Sequence, residues 1–157
     1  MVRVIAVFVG LSAFICGIRP AGAESTILWP CEVTVSIEAG PWRNAALGAV
    51  RQLDAASVIE WPIVEDGMVT VGWSDLPAPT VALATVSADD QRKVAGRVDV
   101  DPDMANRWVM LSLLHELGHV AGLDHNDDER SVMNASDVPW RKFQPVDLAR
   151  LAGIDCG

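Results

Sequence analysis

Residues 115–125 read His-Glu-Leu-Gly-His-Val-Ala-Gly-Leu-Asp-His and contain every histidine of the chain. They close a segment, 105–121, in which Val109, Leu113, Leu114, Leu117 and Val120 recur at helical spacing, with Asp101-Pro102-Asp103 supplying a start signal. A helix with so wide an apolar face is a core element, and the rest of a 157-residue chain has to pack around it. Two histidines and a glutamate on such a helix are costly to bury unless something pairs with them.

Spacing says what that something is. Positions four apart on a helix lie one above the other, so His115 and His119 offer their imidazoles to one metal ion, with Glu116 beside the first. A helix continued to residue 125 would carry that side chain away around the cylinder. Gly122 can take a positive φ and end the helix, so that the chain turns back and His125 reaches the same ion. Three neutral imidazoles suit zinc and leave one coordination position open for water, whose proton a neighbouring carboxylate can accept. His115, His119 and His125 are therefore the candidate ligands of one zinc ion, and Glu116 is the candidate catalytic base.

The remaining elements are read from period. Residues 31–39 alternate, with Val33, Val35 and Ile37 on one face, and predict a strand. Residues 41–56 change to helical spacing, with Trp42, Ala46, Val50 and Leu53 on one stripe and Pro41 suited to the first turn. Strands are expected at 68–73, 80–86 and 96–101. An edge strand is expected at 58–64, where Pro62 excludes a central position. Residues 126–130 form a polar loop. A last helix, 145–152, is expected to carry Val146, Leu148 and Leu151 inward.

The N-terminus has a different character. Residues 1–3 are short and basic, residues 4–18 are apolar, and Ala21-Gly22-Ala23 is a small-residue processing site, so 1–23 reads as a signal peptide cut before Glu24. The mature unit is then one domain, 24–157, and the protein is secreted, or periplasmic in a Gram-negative cell. An uncleaved anchor is the competing reading of an apolar run too short to span comfortably. The whole chain carries a net charge of −9, and losing Arg3 and Arg19 with the leader makes it −11. So acidic a surface excludes nucleic acid and anionic membranes as partners; the mature protein is expected to be a monomer without stable membrane association. Export also pairs Cys31 with Cys156 in a disulfide, the third cysteine, Cys16, leaving with the leader. The alternative for Cys31 is a free thiol that ligates the zinc and holds the protein latent.

The motif His-Glu-x-x-His-x-x-Gly-x-x-His resembles that of the metzincin zinc peptidases, and the chain around it is most similar to their matrixin-like branch. The resemblance is specific over 115–134 and loose elsewhere. It implies an α+β, zincin-like fold: a twisted mixed β-sheet, a backing helix, an active-site helix, and a small C-terminal subdomain with a methionine turn and a final helix. The upper subdomain would be 24–125 and the lower 126–157. Ser131-Val132-Met133-Asn134 resembles the methionine turn, with Met133 beneath the metal. The strand at residues 83–86 would be the sheet edge that takes an extended peptide substrate. Residues 135–141 would wall the pocket beyond the scissile bond, although Trp140 there reads equally well as packing. Ala135 stands where some metzincins have a tyrosine, and the chain contains no tyrosine, so no tyrosine ligand or oxyanion donor is expected. With only 24–30 ahead of the first strand, no folded pro-domain is expected either.

Zinc-dependent endopeptidase activity follows as the leading expectation. The alternative is a secreted zinc-binding module without catalysis that acts through partner binding; retention of Glu116 speaks against it. Matrixins often carry structural calcium. Asp99, Asp101, Asp103, Asp127, Asp128 and Glu129 supply hard oxygens for a calcium ion, or are solvated loop charges.

Overall fold

The computed structural model describes residues 3–5, 30–77, 80–89, 92–104, 106–135 and 142–154. In chain order the elements are β1 (Arg3–Ile5), β2 (Val35–Ile37), α1 (Arg43–Ala56), β3 (Val69–Trp73), β4 (Ala82–Asp89), β5 (Arg92–Val100), α2 (Asn106–Ala121) and α3 (Pro145–Ala152). The strands form one mixed sheet in the order β1-β4-β5-β3-β2. β2 and β5 flank β3 in parallel, whereas β4 runs antiparallel to both β5 and β1. α1 supplies the crossover that the parallel β2–β3 pair requires. It packs on α2, which in turn lies against β4 and β5. Val33, Val35, Val69, Val98, Leu53 and Leu117 are fully buried between these layers. The fold is of the expected α+β class, a mixed sheet with a backing helix, α1, and a core helix, α2.

The elements differ from expectation in ways that have physical causes. Val33, Val35 and Ile37 all point inward, but regular pairing with β3 covers only residues 35–37. Upstream, Val33 N–H donates to Glu60 O at 2.8 Å and Val35 N–H to Pro62 O at 2.9 Å. The segment expected at 58–64 thus joins beyond β2 as isolated bridges, Glu32 to Glu60 and Val35 to Ile63, because Pro62 has no N–H to extend a ladder. Helix α1 starts at Arg43, so Pro41 precedes its first turn, and Trp42 sits at the N-cap without a side-chain bond.

β4 and β5 are longer than expected. Their pairing runs from Ala82 opposite Val100 to Asp89 opposite Arg92, with an irregularity between Ser87 and Ala88. Backbone hydrogen bonds hold this extension, and the polar sequence there carries no apolar alternation.

β1 falls inside the expected leader. Arg3, Val4 and Ile5 pair with Ala88, Ser87 and Val86 along the outer side of β4. Residues 6–23 of the leader, Pro139, Trp140 and Cys156 lie outside the described residues. Among the described residues no helix is long and apolar enough to cross a membrane.

The last helix has the expected bounds but a different inward face. Val146 and Leu148 are exposed, whereas Asp147 is buried together with Leu151. Pro145 occupies the first turn, and Gln144 and Asp147 form a reciprocal capping box. That box, with further donors described below, lets a carboxylate replace two apolar residues as the inward group.

Candidate metal centre

Helix α2 brings His115 and His119 to one face, as their spacing requires, and its end delivers the third imidazole. Gly122 has φ 107°. Its N–H donates to His119 O at 3.0 Å, and Leu123 N–H donates to Gly118 O at 2.9 Å. This is a Schellman end: it satisfies the last carbonyls and reverses the chain toward His125. The three Nε2 atoms converge, with separations of 3.1 Å for His115–His125, 3.1 Å for His115–His119 and 3.2 Å for His119–His125.

Two of the rings have their tautomers fixed from behind. His115 Nδ1–H donates to Val132 O at 2.6 Å, and His119 Nδ1–H donates to Leu123 O at 2.8 Å. A carbonyl can only accept, so each ring in its neutral form presents an unprotonated Nε2 to the centre. Burial, then the neighbouring His115, pushes His119 down to about 3, and burial also lowers His125. His119 and His125 are thereby held toward the neutral form, and three ring nitrogens crowd together at one point. A cation is what such an arrangement fits. Tetrahedral zinc with nitrogen ligands at 2.0–2.1 Å spaces them about 3.3 Å apart, close to the observed triangle. Among the described residues these three histidines are the group that could hold a metal ion.

Glu116 is almost fully buried. It accepts a backbone hydrogen bond from Ala84 of β4, and burial pushes it up to about 8 against that bond. Its Oε2 has no hydrogen-bond partner. A dication held by the histidines would favour the ionised form of this carboxylate, which follows His115 in the helix. His115 is buried, His119 half-buried and His125 exposed, so the centre opens to solvent on the His125 side.

Met133 is fully buried and lies against α2 at Gly118, where any Cβ would run into its Sδ. The glycine inside the motif is therefore needed for close approach of the 131–134 turn. Cys31 is exposed and is not in the metal-binding group. Of the acids considered for calcium, Asp99 is ion-paired with Arg97 at 2.8 Å and Asp128 with Arg130 at 3.1 Å.

Sequence reasoning missed Asp147. Its carboxylate accepts from Asn126 Nδ2 at 2.6 Å, from Ser131 Oγ at 2.7 Å and from Gln144 N–H at 2.7 Å. The capping pattern Gln144-Pro145-x-Asp147 was the available signal.

The core helix and exit loop of this α+β chain thus gather three imidazoles that could hold one metal ion, with a buried glutamate next to the first of them in the helix. No protein-family model matches the chain. Over 130 residues it is 28% identical to a probable matrix metalloproteinase of Invertebrate iridescent virus 3, an alignment covering 72% of this chain and 34% of that protein. The chain thus spans about a third of the length of that relative. The solved structure of myroilysin is also similar, with a TM-score of 0.43 and 14% identity, covering 77% of this chain and 56% of that one. Motif, imidazole geometry and the sequence similarity together support a matrixin-like metzincin.

Proposed function

We propose that this chain is a zinc-dependent endopeptidase, with His115, His119 and His125 as metal ligands and Glu116 as catalytic base. The observation that carries the reading is three convergent imidazoles, with a buried carboxylate that has one unpaired oxygen on the residue after the first of them. Three protein ligands with an open side suit a catalytic site, since structural zinc sites fill the fourth position from the protein. When bound, zinc would supply a Lewis acid that polarises a carbonyl and brings a water's pKa to ~7. Glu116 takes the proton at Oε2 and returns it to the leaving amine. Val132 O and Leu123 O hold His115 and His119 in the ligating tautomer. Met133, packed beneath α2, supports the helix at the metal.

The substrate is an extended peptide laid antiparallel along the outer side of β4, next to the Ala84–Glu116 bond. Pairing of β1 with residues 86–88 supports this, because the edge accepts a strand running toward that bond. On this reading, removal of a leader, residues 1–23, frees the edge in the exported domain 24–157, a monomer with subdomains 24–125 and 126–157. The Cys31–Cys156 disulfide belongs to the same proposal and is supported by the disulfide-bonded state of Cys31.

Glu116→Ala tests the assignment. It is expected to retain zinc while peptide hydrolysis falls by about 10²–10⁴-fold. Full hydrolytic activity in the zinc-loaded variant would reject it.

A further inference from the structure

Asp147 touches neither an imidazole nor Glu116 in any bond described above, yet it is 1% exposed and takes three donors. Two of those donors lead straight to the ligands. Asn126 follows His125 in the chain. Its side-chain orientation is fixed, because Asp128 N–H donates to its Oδ1 at 3.0 Å, leaving Nδ2 for Asp147. Its backbone is held as well: Asn126 N–H donates to Met133 O at 3.1 Å, and Asn134 Nδ2 donates to Asn126 O at 3.0 Å.

Ser131 is fully buried. Its Oγ donates to Asp147 and accepts Met133 N–H at 2.8 Å. Between Ser131 and Met133 lies Val132, whose carbonyl fixes the His115 ring. One carboxylate thus ties down the neighbour of His125 and the turn that carries the acceptor for His115. His119 is served separately, by Leu123 at the end of its own helix.

We propose that Asp147 is a positioning residue of the metal centre, aiming His115 and His125 through Ser131 and Asn126; this rests on the zinc-site reading above. Charge-assisted bonds to a carboxylate are the stronger kind. A neutral amide at 147 offers one acceptor oxygen where the carboxylate offers two, so the buried Ser131 hydroxyl and Gln144 N–H compete for it while Asn126 Nδ2 falls back on Ser131 Oγ at 3.1 Å, which loosens the turn. Groups that orient metal ligands from behind typically change affinity 10–100-fold when altered.

The experiment measures zinc affinity of the full chain by competition with a chromophoric chelator, beginning with the unaltered protein. Absence of zinc binding there would overturn the metal-centre reading itself, and this inference with it. Given binding, Asp147→Asn is expected to weaken zinc by about 10–100-fold. Val71→Ala, a core truncation in β3, serves as the control for general destabilisation and is expected to stay within about twofold. A folded Asp147→Asn with unaltered affinity would overturn the proposal, as would an equal loss in Val71→Ala. If Asp147→Asn does not fold, Ser131→Ala removes one of the three donors and is expected to weaken zinc by about three- to tenfold; unaltered affinity there would overturn the proposal equally.

Discussion

Gly122→Ala separates the two jobs of the helix end. Gly122 has φ 107°, a conformation that residues with a side chain rarely adopt. If the backbone holds, the alanine is strained by about 1–2 kcal/mol. For a chain of 157 residues that lowers Tm by roughly 2–8 °C. If the backbone instead relaxes to negative φ, the helix continues and carries His125 off the metal, and the same free energy appears as a loss of about 5–30-fold in zinc affinity. Gly48→Ala is the matched control. It sits inside α1, where a Cβ would meet Met110 Cε at an ordinary 3.4 Å, and it is expected to stabilise by about 0.5–1 kcal/mol. The assay is thermal unfolding with and without zinc, together with chelator competition, on both variants. Gly122→Ala behaving like Gly48→Ala, with a higher Tm and unchanged affinity, would refute the role assigned to the helix end.

Other expectations are independent of that one. Gly118→Ala forces a Cβ against Met133 Sδ, and overpacking of this kind is expected to cost about 1–3 kcal/mol in chemical unfolding; an unchanged midpoint would contradict the packing. Residues 24–157 without the leader are expected to hydrolyse a peptide library faster than the full chain, since β1 no longer covers β4; equal rates would deny that this edge receives substrate. pH dependence follows from the metal-free site. His119 is held at about 3, below its ordinary 6.5, so the stability it contributes is lost as pH falls from 6.5 toward 3. Glu116 is held at about 8, above its ordinary 4.5, so its contribution is lost as pH rises from 4.5 through 8. A bound dication favours both the neutral imidazole and the ionised carboxylate. The gap in Tm between zinc-loaded and chelated protein is therefore expected to widen from pH 5 to pH 8, and a constant gap would contradict this.

The convergence of the three imidazoles was legible in the sequence because its geometry is local. His115 and His119 share a face by helical period alone, and Gly122 announces the reversal that brings His125 back. What lay beyond reach was anything set by distant backbone. Val132 O behind His115 joins residues 17 apart, and no periodicity reports such a bond. The bond from Ala84 that holds Glu116 belongs to another element altogether.

Helix α3 shows the opposite case, a segment whose limits were plain and whose orientation was not. Pro145 and Gly153 bracket it, but apolar residues were expected inward. The fold instead turns Asp147 in and leaves Val146 and Leu148 exposed, because three donors compensate the carboxylate. The β4–β5 extension escaped for a related reason: its pairing rests on main-chain hydrogen bonds, to which residue type is nearly indifferent.

Zinc K-edge X-ray absorption on purified, metal-loaded protein tests the central claim most directly. One zinc per chain is expected, with three imidazole nitrogens and one further light atom at about 2.0–2.1 Å. A sulfur at about 2.3 Å, which would bring Cys31 into the shell, would contradict it, as would fewer than three imidazoles or no stoichiometric zinc.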